Sequence, residues 1–307
     1  MSSVVVFDNL SDFNNMHPLL QNSFGTRPAV RQDDLFPEGI VGMQYASEAR
    51  RLLLATRRGQ LILCDQTGNQ LQREGGFANL RFLAWSEVGT FGVAAIKGGR
   101  LVCFDADLKI RWEADFTGEI LGVAVSLFGS HIAVSSESAR THIVTSDKKE
   151  IARFDTPRPL NFLHFVQESP LLIGAAEFGH LCCHELNGAE VWNERTLNNV
   201  GNISVSGCGK RIWLSAFNHG IQVLNDRGKQ LGSYMLDGIP DRVAGSASRR
   251  RIAATTLEQR LFWLNAEGEV SWSCDVSADP VNFLSVSGMA DRLFAATESG
   301  RVLQLVW

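Results

Sequence analysis

Three features of the sequence predict an all-β fold: a seven-bladed β-propeller of four-stranded antiparallel sheets, its ring closed by an N-terminal strand. A pattern of short strands and turns recurs about every 40 residues, the period of a propeller blade. Within each copy apolar residues recur with a period near two, among β-branched residues and glycine turns, which excludes helical repeats. The last copy stops after a third strand, Arg301-Val302-Leu303-Gln304-Leu305-Val306-Trp307, so its fourth strand must come from elsewhere, since an open ring would leave unpaired edges.

Residues 1–38 precede the first copy and are read as the segment that supplies the closing strand; residues 39–307 hold the seven copies, as a single domain with that segment. Counting back one repeat from residues 70–77 places the closing strand at residues 29–36, with Val4, Val5, Val6 and Phe7 as the competing strand signal. Between them Leu10, Phe13 and Met16 recur at three-residue spacing, which suits a short surface helix or a docking segment.

First strands begin near Val41, Arg81, Leu121, Asn161, Asn202, Asp241 and Val281. Second strands share a small-residue column of Ala55, Ala95, Ser135, Ala175, Ser215, Thr255 and Ala296, which lets neighbouring sheets approach closely. Third strands share Leu61, Leu101, Thr141, Leu181, Ile221, Leu261 and Val302. Seven residues further on, Gly68, Gly188, Gly228 and Gly268 close the turn to the fourth strand, where glycine supplies positive φ without strain. Leu108 and Lys148 stand there in the second and third copies and require a different turn. The copy at residues 241–276 shows the whole pattern most clearly.

Composition narrows the function classes. An apolar share of 45% is ordinary for a globular protein, and a net charge of −4 argues against a globally basic nucleic-acid binder. No apolar run approaches the roughly 18 residues needed to cross a bilayer, and MSSVVVFDNL is a poor secretory signal, so the expectation is a soluble, cytoplasmic protein without a membrane span. Cys64, Cys103, Cys182, Cys183, Cys208 and Cys274 form no CxxC pair and are expected to be free thiols, most of them on strands as small apolar side chains.

The segments Gly59-Gln60-Leu61-Ile62-Leu63-Cys64-Asp65-Gln66-Thr67-Gly68 and Leu261-Phe262-Trp263-Leu264-Asn265-Ala266-Glu267-Gly268-Glu269-Val270-Ser271-Trp272 combine an apolar strand, Asp or Asn, a turn glycine and an outer-strand Trp. Trp112, Trp192 and Trp272 hold that last position in alternate copies. From about Gly39 to Trp307 the chain thereby resembles the WD40 and quinoprotein-like (PQQ-type) repeat proteins, as a degenerate member. The resemblance implies a propeller and, commonly, a protein-interaction scaffold. No Trp-Asp dipeptide closes a third strand and no Gly-His opens a copy, so the structural His–Asp networks of WD40 blades are not carried over. Quinoprotein dehydrogenases usually have eight blades and are exported, which counts against their activity here.

Chemistry-bearing residues are sparse. His180, Cys182 and His184 alternate on one third strand and share a face, so they are weak metal-ligand candidates. Strand packing competes with that reading, because His184 shares its column with Phe104, Leu224 and Leu264. The innermost strands carry Gln44, Ala84, Ala124, His164, Ser204, Ala244 and Ser285 in one column, with no carboxylate. No nucleotide loop, GxSxG or HExxH is present, and no catalytic residue, cofactor or metal is assigned.

Two surface features carry the functional expectation. Turns between first and second strands all fall on one face of a propeller. They bear Arg50 and Arg51 in the first copy, Lys210 and Arg211 in the fifth, Arg249, Arg250 and Arg251 in the sixth, and Arg292 in the seventh. These copies are consecutive around the ring, so the cations should form an arc over half of that face. Such an arc suits a protein with an acidic or extended docking segment or, less readily, a nucleic-acid backbone or anionic surface. On the opposite face Phe82, Phe162, Asn202, Arg242 and Phe283 share a column at the start of the first strands, as inter-blade packing or as anchors at the mouth. Glu137, Glu177, Glu258 and Glu298 on the turns after the second strands should make that face acidic. The leading expectation is a non-enzymatic scaffold, ahead of a quinoprotein-like or metal-dependent enzyme using the axial mouth and a polyanion binder using the arc.

Overall fold

The computed structural model describes His17, Leu20 and residues 22–307 apart from 197, 218 and 219. It is all-β: seven antiparallel sheets arranged about one axis. Blades 1 to 6 occupy residues 40–74, 80–115, 120–155, 162–195, 200–234 and 240–275, four consecutive strands each, ordered from the axis outward. Innermost strands touch their neighbours all the way round, and Val281–Val286 of blade 7 meets Ile40–Ala46 of blade 1.

Closure follows the register read from the repeat. Blade 7 takes three strands from residues 281–306, and its outer strand is Ala29–Leu35, paired antiparallel with Arg301–Val306. The competing signal at Val4 to Phe7 and the three-residue pattern at Leu10, Phe13 and Met16 lie outside the described residues. A second N-terminal piece was not foreseen: Ser23–Gly25 pairs with Val270–Asp275 as a fifth strand on blade 6. Trp307 is clamped at this junction. Its ring stacks on Trp263 at 4.5 Å and meets Trp272 edge-on at 5.5 Å, and its indole Nε1 donates to Thr26 O at 2.8 Å.

The apolar columns become the inter-blade core. The small residues of the second strands pair with the third-strand column, as in Ala55 with Leu61 and Ala175 with Leu181, and in blade 3 Ser135 with Thr141. These positions are almost wholly buried, because both faces of each sheet are covered. Where the small residue is Ser or Thr, its hydroxyl is bonded: Ser135 to Leu160 O and Ser215 to Asp241 O at 3.0 Å reach toward the next blade, and Thr255 bonds the Asp241 carboxylate at 2.5 Å within blade 6. All six cysteines are free, five buried and Cys208 half-buried. Burial pushes the thiol of Cys64 up to about 11 and those of Cys182, Cys183 and Cys274 up to about 12.

The turn glycines and the outer-strand aromatics belong to one contact. Trp112 Nε1 donates to Ser146 O at 2.7 Å and Trp192 Nε1 to Asp226 O at 2.8 Å, in each case the third-to-fourth turn of the next blade. Tyr234 Oη does the same to Ala266 O at 2.8 Å, and Gln72 to Asp107 O. Glycine in that turn makes room for the ring: a Cβ on Gly228 would lie 2.6 Å from Trp192 Cζ3, and one on Gly268 2.1 Å from Tyr234 Cδ1. Where the Trp column holds Ala152 or Gly232, an aromatic two residues on, Phe154 or Tyr234, takes over the volume. Lys148, at φ 71° in place of glycine, lays its ammonium 5.8 Å from the Trp112 ring centre and donates to Glu113 O at 2.6 Å.

Candidate functional site

The site is built from the turns between first and second strands. In five blades this turn opens on a buried or half-buried serine, a column not read from the sequence: Ser86, Ser126, Ser206, Ser246 and Ser287. Each hydroxyl accepts backbone N–H groups four or five residues on. Ser206 holds Arg211 N at 3.1 Å, Ser246 holds Arg250 N at 3.0 Å and Arg251 N at 3.1 Å, and Ser287 holds Arg292 N at 3.1 Å. The backbone carrying most of the predicted arc is therefore pinned locally by capping hydroxyls.

Neighbouring turns also bond one another. Ala49 N donates to Glu87 O at 3.0 Å, Val88 N to Leu127 O at 3.4 Å, and Gln167 N to Gly207 O at 3.0 Å. Gly207 N continues to Ala247 O at 3.1 Å, Ser248 N to Gly288 O at 3.2 Å, and Gly288 N to Ser47 Oγ at 2.9 Å. This collar links blades 1 to 3 and 4 to 7 and returns to blade 1; among the described residues no such bond joins blades 3 and 4. A collar of this kind fixes the spacing of side chains that lie far apart in sequence.

The structure brings the predicted cations together on blades 5, 6, 7 and 1, which are adjacent around the ring. Arg50, Lys210, Arg249 and Arg250 are exposed; Arg51, Arg211, Arg251 and Arg292 are half-buried. Arg292 is neutralised by Asp291, Nε to carboxylate 3.1 Å, so blade 7 contributes little net charge. Among the described residues Arg50, Arg51, Lys210, Arg211, Arg249, Arg250 and Arg251 enter no ion pair. Met289, 73% exposed, projects from the blade 7 turn within this arc. Beside it a depression of about 390 Å³ is lined by Arg250, Arg251, Glu267 and Met289.

On the same face the axis opens into a cavity of about 290 Å³. All seven residues of the inner column, Gln44, Ala84, Ala124, His164, Ser204, Ala244 and Ser285, line it. Ser47, Glu87, Leu127, Gln167, Ala247 and Gly288, from the turns between first and second strands, line its mouth. Burial raises the Glu87 carboxyl, although Ser47 N donates to its Oε2 at 2.8 Å. Burial pushes the His164 imidazole down to about 4, so it is neutral at pH 7. Glu87 and His164 sit on blades 2 and 4 with blade 3 between them.

Strand alternation does put His180, Cys182 and His184 on one face, but that face is packed. His184 stacks on Phe154 of blade 3 at 3.8 Å, and Cys182 is buried with Leu160 and Ala176. Among the described residues no three His, Cys, Asp or Glu groups are arranged to hold a metal ion. At the opposite mouth Phe82, Phe162 and Phe283 are half-buried and pack into three different inter-blade clusters. Arg242 lies 3.8 Å from the Asp241 carboxylate and 6.0 Å from the Phe283 ring centre, and the Asn202 carbonyl accepts from Ser215 Oγ at 3.3 Å. The expected acidity of that face is confined to part of it. Glu137, Glu177, Glu258 and Glu298 are exposed there, but the equivalent turns of blades 1 and 2 expose Arg57, Arg58 and Lys97.

Neither a scan against protein-family models nor a search of curated proteins returns a match for this chain. Among the described residues no helix is long and apolar enough to cross a membrane.

Proposed function

We propose that this protein is a non-enzymatic propeller scaffold, akin to WD40 and quinoprotein-like repeat proteins, that docks an acidic segment of a protein partner. The docking face is the one carrying the first turns of the blades. One observation carries the reading: seven arginine and lysine side chains from three blades share half of a rim, and none is compensated by an ion pair among the described residues. Uncompensated like charges on backbone held by serine caps and a hydrogen-bonded collar repel one another, and an acidic ligand relieves that repulsion. The axial cavity opens on the same face, beside the arc. The exposed Met289 adds an apolar contact among the cations.

The chemistry of the cavity lining favours the non-enzymatic part. Glu87 and His164 are separated by a blade, and the rest of the inner column offers amides, hydroxyls and methyl groups.

Poly-glutamate and single-stranded DNA of matched charge, titrated by fluorescence anisotropy, test the proposal. Wild type should bind poly-glutamate more tightly the lower the salt, and R249E/R250E/R251E should lose about tenfold or more in affinity. Preference for the DNA would replace the protein partner by a nucleic-acid backbone. Failure to bind either polymer would remove the arc as a docking surface.

A further inference from the structure

The outer edges of the blades differ in how they are protected. An exposed strand edge offers unpaired N–H and C=O groups, and proteins blunt such edges with charged side chains or by covering them. Blade 1 ends on Gln70–Glu74 with Arg73 and Glu74, blade 2 on Ile110–Asp115 with Arg111, Glu113 and Asp115. Blade 3 ends on Glu150–Asp155 with Glu150, Arg153 and Asp155, and blade 4 on Glu190–Arg195 with Glu190, Glu194 and Arg195. Blade 7 ends on Ala29–Leu35 with Arg31, Asp33 and Asp34. The outer strand of blade 6, Val270–Asp275, has only its terminal Asp275, and that edge is covered: Ser23, Phe24 and Gly25 pair with Cys274, Ser273 and Trp272.

Among the described residues blade 5 has neither protection. Its outer strand Gln230–Tyr234 reads Gln-Leu-Gly-Ser-Tyr, without a charge or a proline, and no described strand pairs with its outer edge. Four of its five residues are exposed; Leu231 is 53% and the following Met235 71% exposed. A Cβ built on Gly232 meets nothing within 4 Å, so the space beside the strand is open. The fifth strand on blade 6 shows that the periphery of this ring accepts an added antiparallel strand.

We propose that Gln230–Tyr234 pairs antiparallel with the same strand of a second copy of the chain, joining two propellers edge to edge. Identical strands pair isologously about a two-fold axis. With the axis at Gly232, Gly232 opposes Gly232, Leu231 opposes Ser233 and Gln230 opposes Tyr234, so no charges oppose within the strand. The two Leu231 side chains become diagonal neighbours on one sheet face. The flanking charges favour antiparallel alignment: Lys229 precedes the strand and Asp237 follows it, so unlike charges approach across the pair, in addition to their partners Glu194 and Arg260. One edge strand buries less than the roughly 1,200 Å² of a standard stable interface, so the dimer is weak and concentration-dependent.

Sedimentation velocity over a wide concentration range, with hydrogen exchange on the same samples, tests this. Wild type should shift from monomer to dimer as concentration rises, and the amides of residues 230–234 should slow in step. Gly232→Lys sets like charges opposite each other at the axis, in a position where the monomer has room for the side chain; it should remain monomeric with an unchanged melting temperature. Val191→Lys, an equivalent change on the charged edge of blade 4, should dimerise like wild type. Wild type that stays monomeric at every concentration overturns the proposal, as does a dimer that survives Gly232→Lys or protects other amides. Should Gly232→Lys fail to fold, the site of exchange protection in wild type decides alone.

Discussion

Arg249 shows how much a single residue gives up locally on the arc. It has φ 62°, in the left-handed region, where the equivalent turns of blades 2, 3 and 5 have Gly89, Gly129 and Gly209. Blade 7 places Ala290 there, so the turn tolerates a side chain at a cost. Arg249→Gly should stabilise the fold by about 0.5–1 kcal/mol in denaturant titrations, the release of left-handed strain less the added chain entropy, while weakening poly-glutamate binding. Glu87 offers a second test. Its folded pKa is raised above the reference 4.5, chiefly by desolvation, so the folded state holds the proton more tightly than the unfolded one. The penalty is absent below the unfolded pKa, grows as pH rises through it, and levels off above the folded pKa. Glu87→Gln should therefore melt higher than wild type at pH 7 and alike below pH 4; a lower melting temperature at pH 7 would mean that the charged carboxylate is stabilising. At this scale the sequence was legible for the cations, whose turns are recognisable, and for the inner column, which lines the cavity. It was not legible for Asp291, because ion pairing between adjacent residues depends on rotamers, and the neutralisation of Arg292 went unseen.

Among elements, the turn glycine and the outer-strand aromatic of the preceding blade form one joint at Gly228 with Trp192 and at Gly268 with Tyr234. Sequence columns revealed both partners but gave the glycine a conformational role only. The steric role needs the neighbouring blade, which no single-repeat reading contains. Gly228→Ala should cost about 2–4 kcal/mol, since its Cβ would sit 2.6 Å from Trp192 Cζ3 at φ +71°. Gly232→Ala, with open space at its Cβ, should be neutral within about 0.5 kcal/mol. Equal destabilisation by Gly228→Ala and by Gly188→Ala, which has φ +87° but its nearest ring atom, Phe154 Cδ1, 3.8 Å from the added Cβ, would show that backbone freedom, not the ring contact, sets the glycine column. The serine caps recur at the blade period as Ser86, Ser126, Ser206, Ser246 and Ser287, a legible column whose meaning, a hydroxyl capping the turn backbone, emerges only with the turn geometry. The mixed charge of the opposite rim is legible only when all the turns are compared: glutamates stand on blades 3, 4, 6 and 7, and Arg57, Arg58 and Lys97 on blades 1 and 2.

At the scale of the whole molecule, ring order turns distant residues into neighbours. Seven blades and closure by residues 29–35 were readable, because the repeat has a fixed period and the last copy lacks a strand. The fifth strand on blade 6 was not, because the three residues Ser-Phe-Gly are too short for any periodicity. Closure concentrates at Trp307, held by Trp263, Trp272 and Thr26. Trp307→Ala should cost about 2–4 kcal/mol of unfolding free energy, and loss of the stacked ring should loosen both the N-terminal strands and blade 7 in hydrogen exchange. The central claim is that cations from separate blades act as one docking surface for a protein partner. The direct measurement is quantitative affinity capture with mass spectrometry, comparing wild type, R249E/R250E/R251E and R57E/R58E, the last carrying reversed charges on the opposite rim. The account predicts a set of acidic partners retained by wild type and by R57E/R58E but lost from the arc variant. The same partners on all three proteins, or equal loss from both variants, would contradict it.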